Sequence, residues 1–285
     1  MKTSLSREAK AKHVRRSGVT PFGYALICAT IIIPFSAARG HADDDPDAFS
    51  MEPSGEAPAN PSVIGGRRPQ NPLDWPASFK LKYGGLVCTA TAIGPTVVIT
   101  AAHCVPNRRR GSLSVNGVTV RVTCEHHPEY ANNSLYDIAL CSSTTPIQLP
   151  QIPGGVPSQF ESLQIDTLPS EGTEVTIQGY GCRLAGGHVG ILYIGDATIS
   201  DVPGSQPYFI TEGAAVCGGD SGGAVFPRND GPHRAVLGIN AQGDLEDTSF
   251  ITAIGDPLVS TFIKGWAART SSNICGLSGG NNCHE

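Results

Sequence analysis

The residues best suited to chemistry are a serine, a histidine and an aspartate in three short motifs. Ser221 lies in "VCGGDSGGAV", beside Asp220 and among four glycines. His103 lies in "TAAHC", next to Cys104 at the end of an apolar run. Asp137 lies in "LYDIALC", just before another apolar run. A serine hydroxyl is a weak nucleophile until an imidazole takes its proton and a carboxylate holds that imidazole in the right tautomer. Glycines let backbone N–H groups approach a developing oxyanion without side-chain clash. Each motif alone has an ordinary explanation, as a structural histidine, a turn aspartate or a glycine-rich turn. Their joint occurrence favours nucleophilic catalysis. Gly219, Ser221 and Gly223 also fit G-x-S-x-G, the elbow of another hydrolase fold. That elbow requires a helix after the serine, with the acid and histidine later in the chain. Here "AVFPRND" follows as a strand and turn, and the order is His103, Asp137, Ser221.

The elements that must hold these residues are short. Apolar runs at 79–83, 86–93, 97–102, 113–122, 138–141, 174–179, 192–199, 208–210, 223–226, 235–240 and 249–253 are separated by Gly, Pro, Asn and Asp and predict strands. About a dozen short strands without long helices suggest antiparallel barrels or a sandwich. Only the end predicts a helix: Asp256 caps, Pro257 suits the first turn, and Leu258, Phe262, Ile263 and Trp266 recur at helical spacing. The Pro-rich stretch 144–158 is the best boundary between two halves.

Residues 1–42 predict an export signal, with a long basic start, a short apolar core at 24–35, and small Gly40 and Ala42 before the expected cut. Arg15-Arg16 is a twin-arginine pair, but the residues after it fit that export signal poorly. No later segment is apolar enough to cross a membrane, so the mature chain is expected to be secreted or periplasmic and free of the membrane. Residues 43–62 carry six acids, four prolines and no basic residue, a composition expected to add nothing to a core and to serve as a pro-segment. Without residues 1–42 the chain has 13 basic and 24 acidic residues, a net charge of −11, which argues against nucleic-acid binding. Cys28 leaves with the signal. The eight remaining cysteines, an even number in an exported chain, predict four disulfides. No C-x-x-C pair exists, and the adjacent His126 and His127 beside Cys124 point opposite ways on a strand. No metal and no cofactor are expected.

Together "TAAHC", "DIAL" and "GDSGG", supported by "VIGG" (63–66) and "GYG" (179–181), resemble the chymotrypsin-like (trypsin-type) serine peptidases over roughly residues 63–268. The resemblance implies an all-β fold of two six-stranded antiparallel β-barrels with a C-terminal helix, in which 63–150 form the first barrel, 151–270 the second with the helix, and 271–285 a Cys-containing tail. It implies Ser221 as nucleophile, His103 as general base and acid, Asp137 as orienting carboxylate, and the N–H groups of Gly219 and Ser221 as oxyanion hole. The implied partners are a protein or peptide substrate and an activating protease. Cleavage before Val63 would free an ammonium to pair with Asp220. Ser62 stands before that bond, where many members carry Arg or Lys. Cys88 and Cys104 match the family's histidine-loop disulfide. Cys217 lacks its usual partner, so Cys182 is expected to replace it, leaving Cys124–Cys141 and Cys275–Cys283. Ala215 stands where trypsin-type members carry the aspartate that binds basic substrates. Ala241, Gln242 and Gly243 stand where the family usually has Ser-Trp-Gly, so the substrate pocket is rebuilt. Asp244, Glu246 and Asp247 are expected to form a solvated turn. A non-catalytic binding protein on the same fold is the alternative function.

Overall fold

Along residues 118–126 side chains alternate between the core and solvent: Val120, Val122 and Cys124 are buried, while Thr119, Arg121 and Thr123 are exposed. This two-residue period is what a half-buried strand requires. The computed structural model describes residues 48–53, 63–152, 154, 157–182, 187–228, 234–277 and 282–284. The signal expected over 1–42, with Cys28, lies outside the described residues.

The first barrel is built from β1 (Phe49–Glu52), β2 (Ser78–Tyr83), β3 (Leu86–Gly94), β4 (Val97–Thr100), β5 (Arg110–Val115), β6 (Val118–His126) and β7 (Ala139–Ser143). Its strands run in the order β1-β2-β3-β4-β7-β6-β5, and a parallel β1–β5 pairing closes it. A parallel pair, β8 (Ser162–Leu163) and β13 (Ala235–Val236), lies outside both barrels. The second barrel contains β9 (Glu174–Gly179), β10 (Tyr193–Asp201), β11 (Tyr208–Gly213), β12 (Ala224–Pro227), β14 (Gly238–Gly243) and β15 (Thr248–Ala253), in the order β10-β11-β15-β14-β12-β9.

The expected barrels are present, with one strand more than expected in the first. That strand corrects the reading of the acidic segment. Phe49 and Met51 alternate with Ser50 and Glu52, so both large apolar side chains enter the barrel core, at 2% and 1% exposure. Each such burial contributes about 1.5–3 kcal/mol. Averaging composition over 43–62 hides this four-residue alternation. A second correction concerns 113–122, expected as one strand. It is a hairpin, because Asn116 and Gly117 both take positive φ, 50° and 78°, as a tight turn between twisted strands demands.

The helix α1 (Pro257–Thr270) begins as its sequence predicts. The Asp256 carboxylate accepts from the N–H groups of Leu258 and Val259. Val259, Phe262, Ile263 and Trp266 are buried, whereas Leu258 is 51% exposed and does not share that face. The tail returns to the linker between barrels: Phe160 N–H donates to Asn282 at 2.8 Å and His284 N–H to Phe160 at 2.8 Å.

Candidate active site

His103 sits in a single 3-10 turn, Ala102–Cys104, directly after β4. Cys104 is joined to Cys88 on β3, which anchors that turn to the barrel. Asp137 precedes β7, which pairs with β4, so the two residues emerge side by side from neighbouring strands. The backbone N–H of His103 donates to Asp137 Oδ1 at 3.0 Å, and Nδ1 lies 2.5 Å from Oδ2. A carboxylate can only accept, so the proton belongs on Nδ1 and Nε2 is left as an acceptor. The Asp137 side chain is 4% exposed and that of His103 37%, so the pair has a buried foot and an open imidazole edge.

Ser221 comes from the second barrel, in the loop before β12. Its carbonyl accepts from Thr89 N–H on β3 at 2.8 Å, and the Thr89 hydroxyl donates to the Gly219 carbonyl at 2.9 Å. One threonine thus ties the serine loop to the first barrel. From the other side Asn240 on β14 clamps the loop. Its amide donates to the Asp220 carbonyl at 3.0 Å, its N–H to Gly223, and its carbonyl accepts from Gly222 N–H. Among the described residues neither Gly219 N–H nor Ser221 N–H donates to any acceptor. Gly219 has φ 105° and lies so close that a Cβ would stand 2.7 Å from the Gly181 Cα. The fold brings Ser221 close to the histidine turn, with its carbonyl 3.5 Å from Cys104 Sγ, but forms no hydrogen bond between Ser221 and His103.

Asp220 is wholly buried. Its oxygens accept from Gly181 N–H at 2.7 Å and Cys217 N–H at 2.9 Å. Burial raises its carboxyl to about 7, against the pull of those two N–H groups. No cation among the described residues pairs with it. Val63 is buried against Tyr193 and Ala214, and Ile64 exchanges two 3.0 Å backbone hydrogen bonds with Ala215. Val63 and Asp220 form no bond in this uncut chain, where the Val63 nitrogen is an amide.

Ala215 is fully buried, Ala241 and Gly243 are half-buried, and Gln242 is exposed. A Cβ on Gly243 would lie 2.4 Å from the Val216 carbonyl, so that position admits only glycine. Ala241 falls where the β14–β15 register slips, between Asn240 and Gln242. Asp244 Oδ1 accepts from the N–H groups of Glu246, Asp247 and Thr248, which makes this acidic stretch a surface turn. The disulfides are Cys88–Cys104, Cys124–Cys141, Cys182–Cys217 and Cys275–Cys283. Cys88, His103 and Cys104 cluster closely, but the two sulfurs are bonded to each other and offer no thiolate to a metal. Four disulfides fit an oxidising compartment, and no helix among the described residues is long and apolar enough to cross a membrane.

Thr89 and Asn240 escaped the sequence reading. A polar residue in the apolar run of β14 was the available signal for Asn240. Thr89 had none.

The trypsin family model matches residues 64–254. Human heparin binding protein is similar in structure, with a TM-score of 0.53 and 17% identity, over 71% of this chain and 96% of that one. A variant of human heparin binding protein gives a TM-score of 0.52 and 17% identity, over 71% and 95%. At this identity the likeness establishes the fold. The family match covers all three motifs and every strand of both barrels except β1, and the chain belongs to the trypsin family.

Proposed function

We propose that the chain is an exported serine endopeptidase, made as a zymogen. The observation that carries this reading is the Asp137–His103 pair, beside a serine loop whose Gly219 and Ser221 N–H groups donate to no acceptor among the described residues. As Ser221 Oγ attacks the substrate carbonyl, its proton passes to His103 Nε2. The imidazolium is held by Asp137, and the oxyanion takes the two N–H groups. When the C–N bond breaks, His103 returns the proton to the leaving amine, which departs and leaves an acyl-enzyme on Ser221. Water then repeats the sequence, giving its proton to His103 and releasing the acid product and free serine.

Cutting before Val63 supplies an ammonium for the buried Asp220, whose carboxyl then ionises and orders the loop that carries both oxyanion donors. Ser62 favours another protease for this cut. With Ala215 as an uncharged floor, small or apolar side chains are preferred over Arg and Lys.

A second reading, a binding protein on the same fold, draws support from the similar structures named for heparin binding and from Ala241 in place of the family's usual serine. A fluorophosphonate probe separates the two. Protein cut before Val63 is expected to carry the adduct on Ser221, and His103→Ala to abolish it. Absence of label, while a control peptidase reacts, sinks the peptidase reading.

A further inference from the structure

The strand that closes the first barrel lies on the far side of the proposed activation cut from the rest of the barrel. We propose that the slot between β2 and β5 is a peptide-binding groove for this chain's own acidic segment. Once the chain is cut before Val63, residues 43–62 remain bound as a noncovalent second chain. The proposal rests on the zymogen reading above.

Four features of the slot point to a retained strand. First, β1 is paired on both sides: Phe49 to Glu52 lie antiparallel to Tyr83 to Lys80, and Ser50 and Met51 lie parallel to Ser112 and Leu113. Ala48 N–H also donates to the Arg110 carbonyl at 3.0 Å. Shedding β1 would leave two open strand edges, a costly and sticky surface.

Second, the groove is shaped for its occupant. Gly111 faces the Phe49 ring so closely that a Cβ would stand 2.3 Å from it. Met51 and Phe49 both belong to the core shared with Leu81 and Leu113. Third, charge complements the pairing. Glu52 lies 3.0 Å from Lys80 Nζ and 2.8 Å from Lys82 Nζ, and the lysines hold its carboxyl below the ordinary range.

Fourth, the cut can be made without disturbing the strand. Ten residues separate Glu52 from Val63. Fully extended they span about 33–36 Å. The cut chain has no covalent tie either, because the segment 43–62 contains no cysteine and the eight cysteines of 63–285 pair among themselves. Among the described residues, retention therefore rests on β1 and its pairings.

The bound segment also has a route to the active site. β5 begins six residues after Cys104, so the strand that β1 braces continues from the turn holding His103. The pro-segment is then a structural subunit of the mature enzyme rather than a discarded leader.

The test uses chain 43–285 with Ser221→Ala and a unique endopeptidase recognition sequence replacing residues 58–62. After cutting, size-exclusion chromatography in native buffer is followed by mass spectrometry. The fragment is expected to elute one-to-one with the body and to separate only in concentrated guanidinium. Elution of the fragment apart from the body in native buffer overturns the proposal. Phe49→Ala is expected to speed release at least about 100-fold. Unchanged release in a folded Phe49→Ala protein also overturns it. The same cut complex with Ser221 intact is treated in parallel with the fluorophosphonate. Label without retained fragment sinks only this inference, whereas retained fragment without label sinks only the peptidase reading.

Discussion

Two buried carboxylates flank the serine loop, one from each barrel, and they are satisfied in different ways. Asp137 is held by the backbone and imidazole of His103, at 3.0 and 2.5 Å. Its partner arrives with the fold, because β4 and β7 are neighbours. Asp220 has two amide donors but, among the described residues, no cation, and its carboxyl rises to about 7. The first site is complete in the uncut chain. In the proposed zymogen, the second gains its charge from the ammonium freed by the cut before Val63. A buried carboxylate without a counter-ion prefers its proton, so under the zymogen proposal the unfinished half of the site is the regulated half.

The comparison can be broken most severely at the first carboxylate's partner. His103→Ala in the protein cut before Val63 is expected to lower kcat by about 10⁶-fold, as loss of the base does elsewhere, with KM little changed. Steady-state hydrolysis of a peptide library checks this. Asp137→Asn keeps the contact but offers the wrong tautomer, and is expected to cost about 10⁴-fold. An unaffected rate would remove Asp137 from the triad.

Changing the second carboxylate is expected to cost less. Asp220→Asn cannot bind the Val63 ammonium as an ion pair, so the oxyanion loop loses its order. A loss of about 10²–10³-fold in kcat is expected, similar to removing an oxyanion donor. A wild-type rate in the cut Asp220→Asn protein would separate the loop from the proposed switch.

The smallest effect is on stability, and its sign follows from the raised pKa. In the uncut fold Asp220 keeps its proton up to about 7, whereas unfolded it ionises near its ordinary value of 3.8. Its contribution favours the fold below about pH 4 and is lost as the pH rises through 7. Buried Glu161, also raised to about 7 despite Arg234 at 2.9 Å, acts in the same direction. Urea midpoints of the uncut chain are expected to fall between pH 4 and 7.5. Asp220→Asn should remove part of that slope, and cutting before Val63 should remove the same part. A slope unchanged by both would show that Asp220 is not the titrating group.

Much of this was legible locally. The triad candidates stand in motifs whose neighbours are strands, and strand alternation needs only a few residues to declare itself. The Asp256 cap was equally clear, because a helix start depends on adjacent residues. What failed did so for identifiable reasons. The acidic segment was judged by average composition, and the average of six acids conceals the Phe49–Met51 alternation. The apolar residues of 113–122 suggest one strand, whereas the Asn116-Gly117 turn divides it into two. Leu258 was placed on the buried face by spacing, although the first turn of α1 points it outward.

The sequence by itself determined the residue types: a serine among glycines, a histidine beside an anchoring cysteine, an aspartate before a strand, and eight cysteines to pair. Those are properties of short stretches, set by sterics and side-chain chemistry. Only the tertiary structure decided that Thr89 and Asn240 clamp the serine loop from opposite barrels, that Asp220 is buried with no cation among the described residues, and that a strand from the acidic segment closes the first barrel. Each of these depends on residues far apart in the chain meeting in space. Burial, hydrogen-bond satisfaction and the pKa of a carboxyl arise only once they have met.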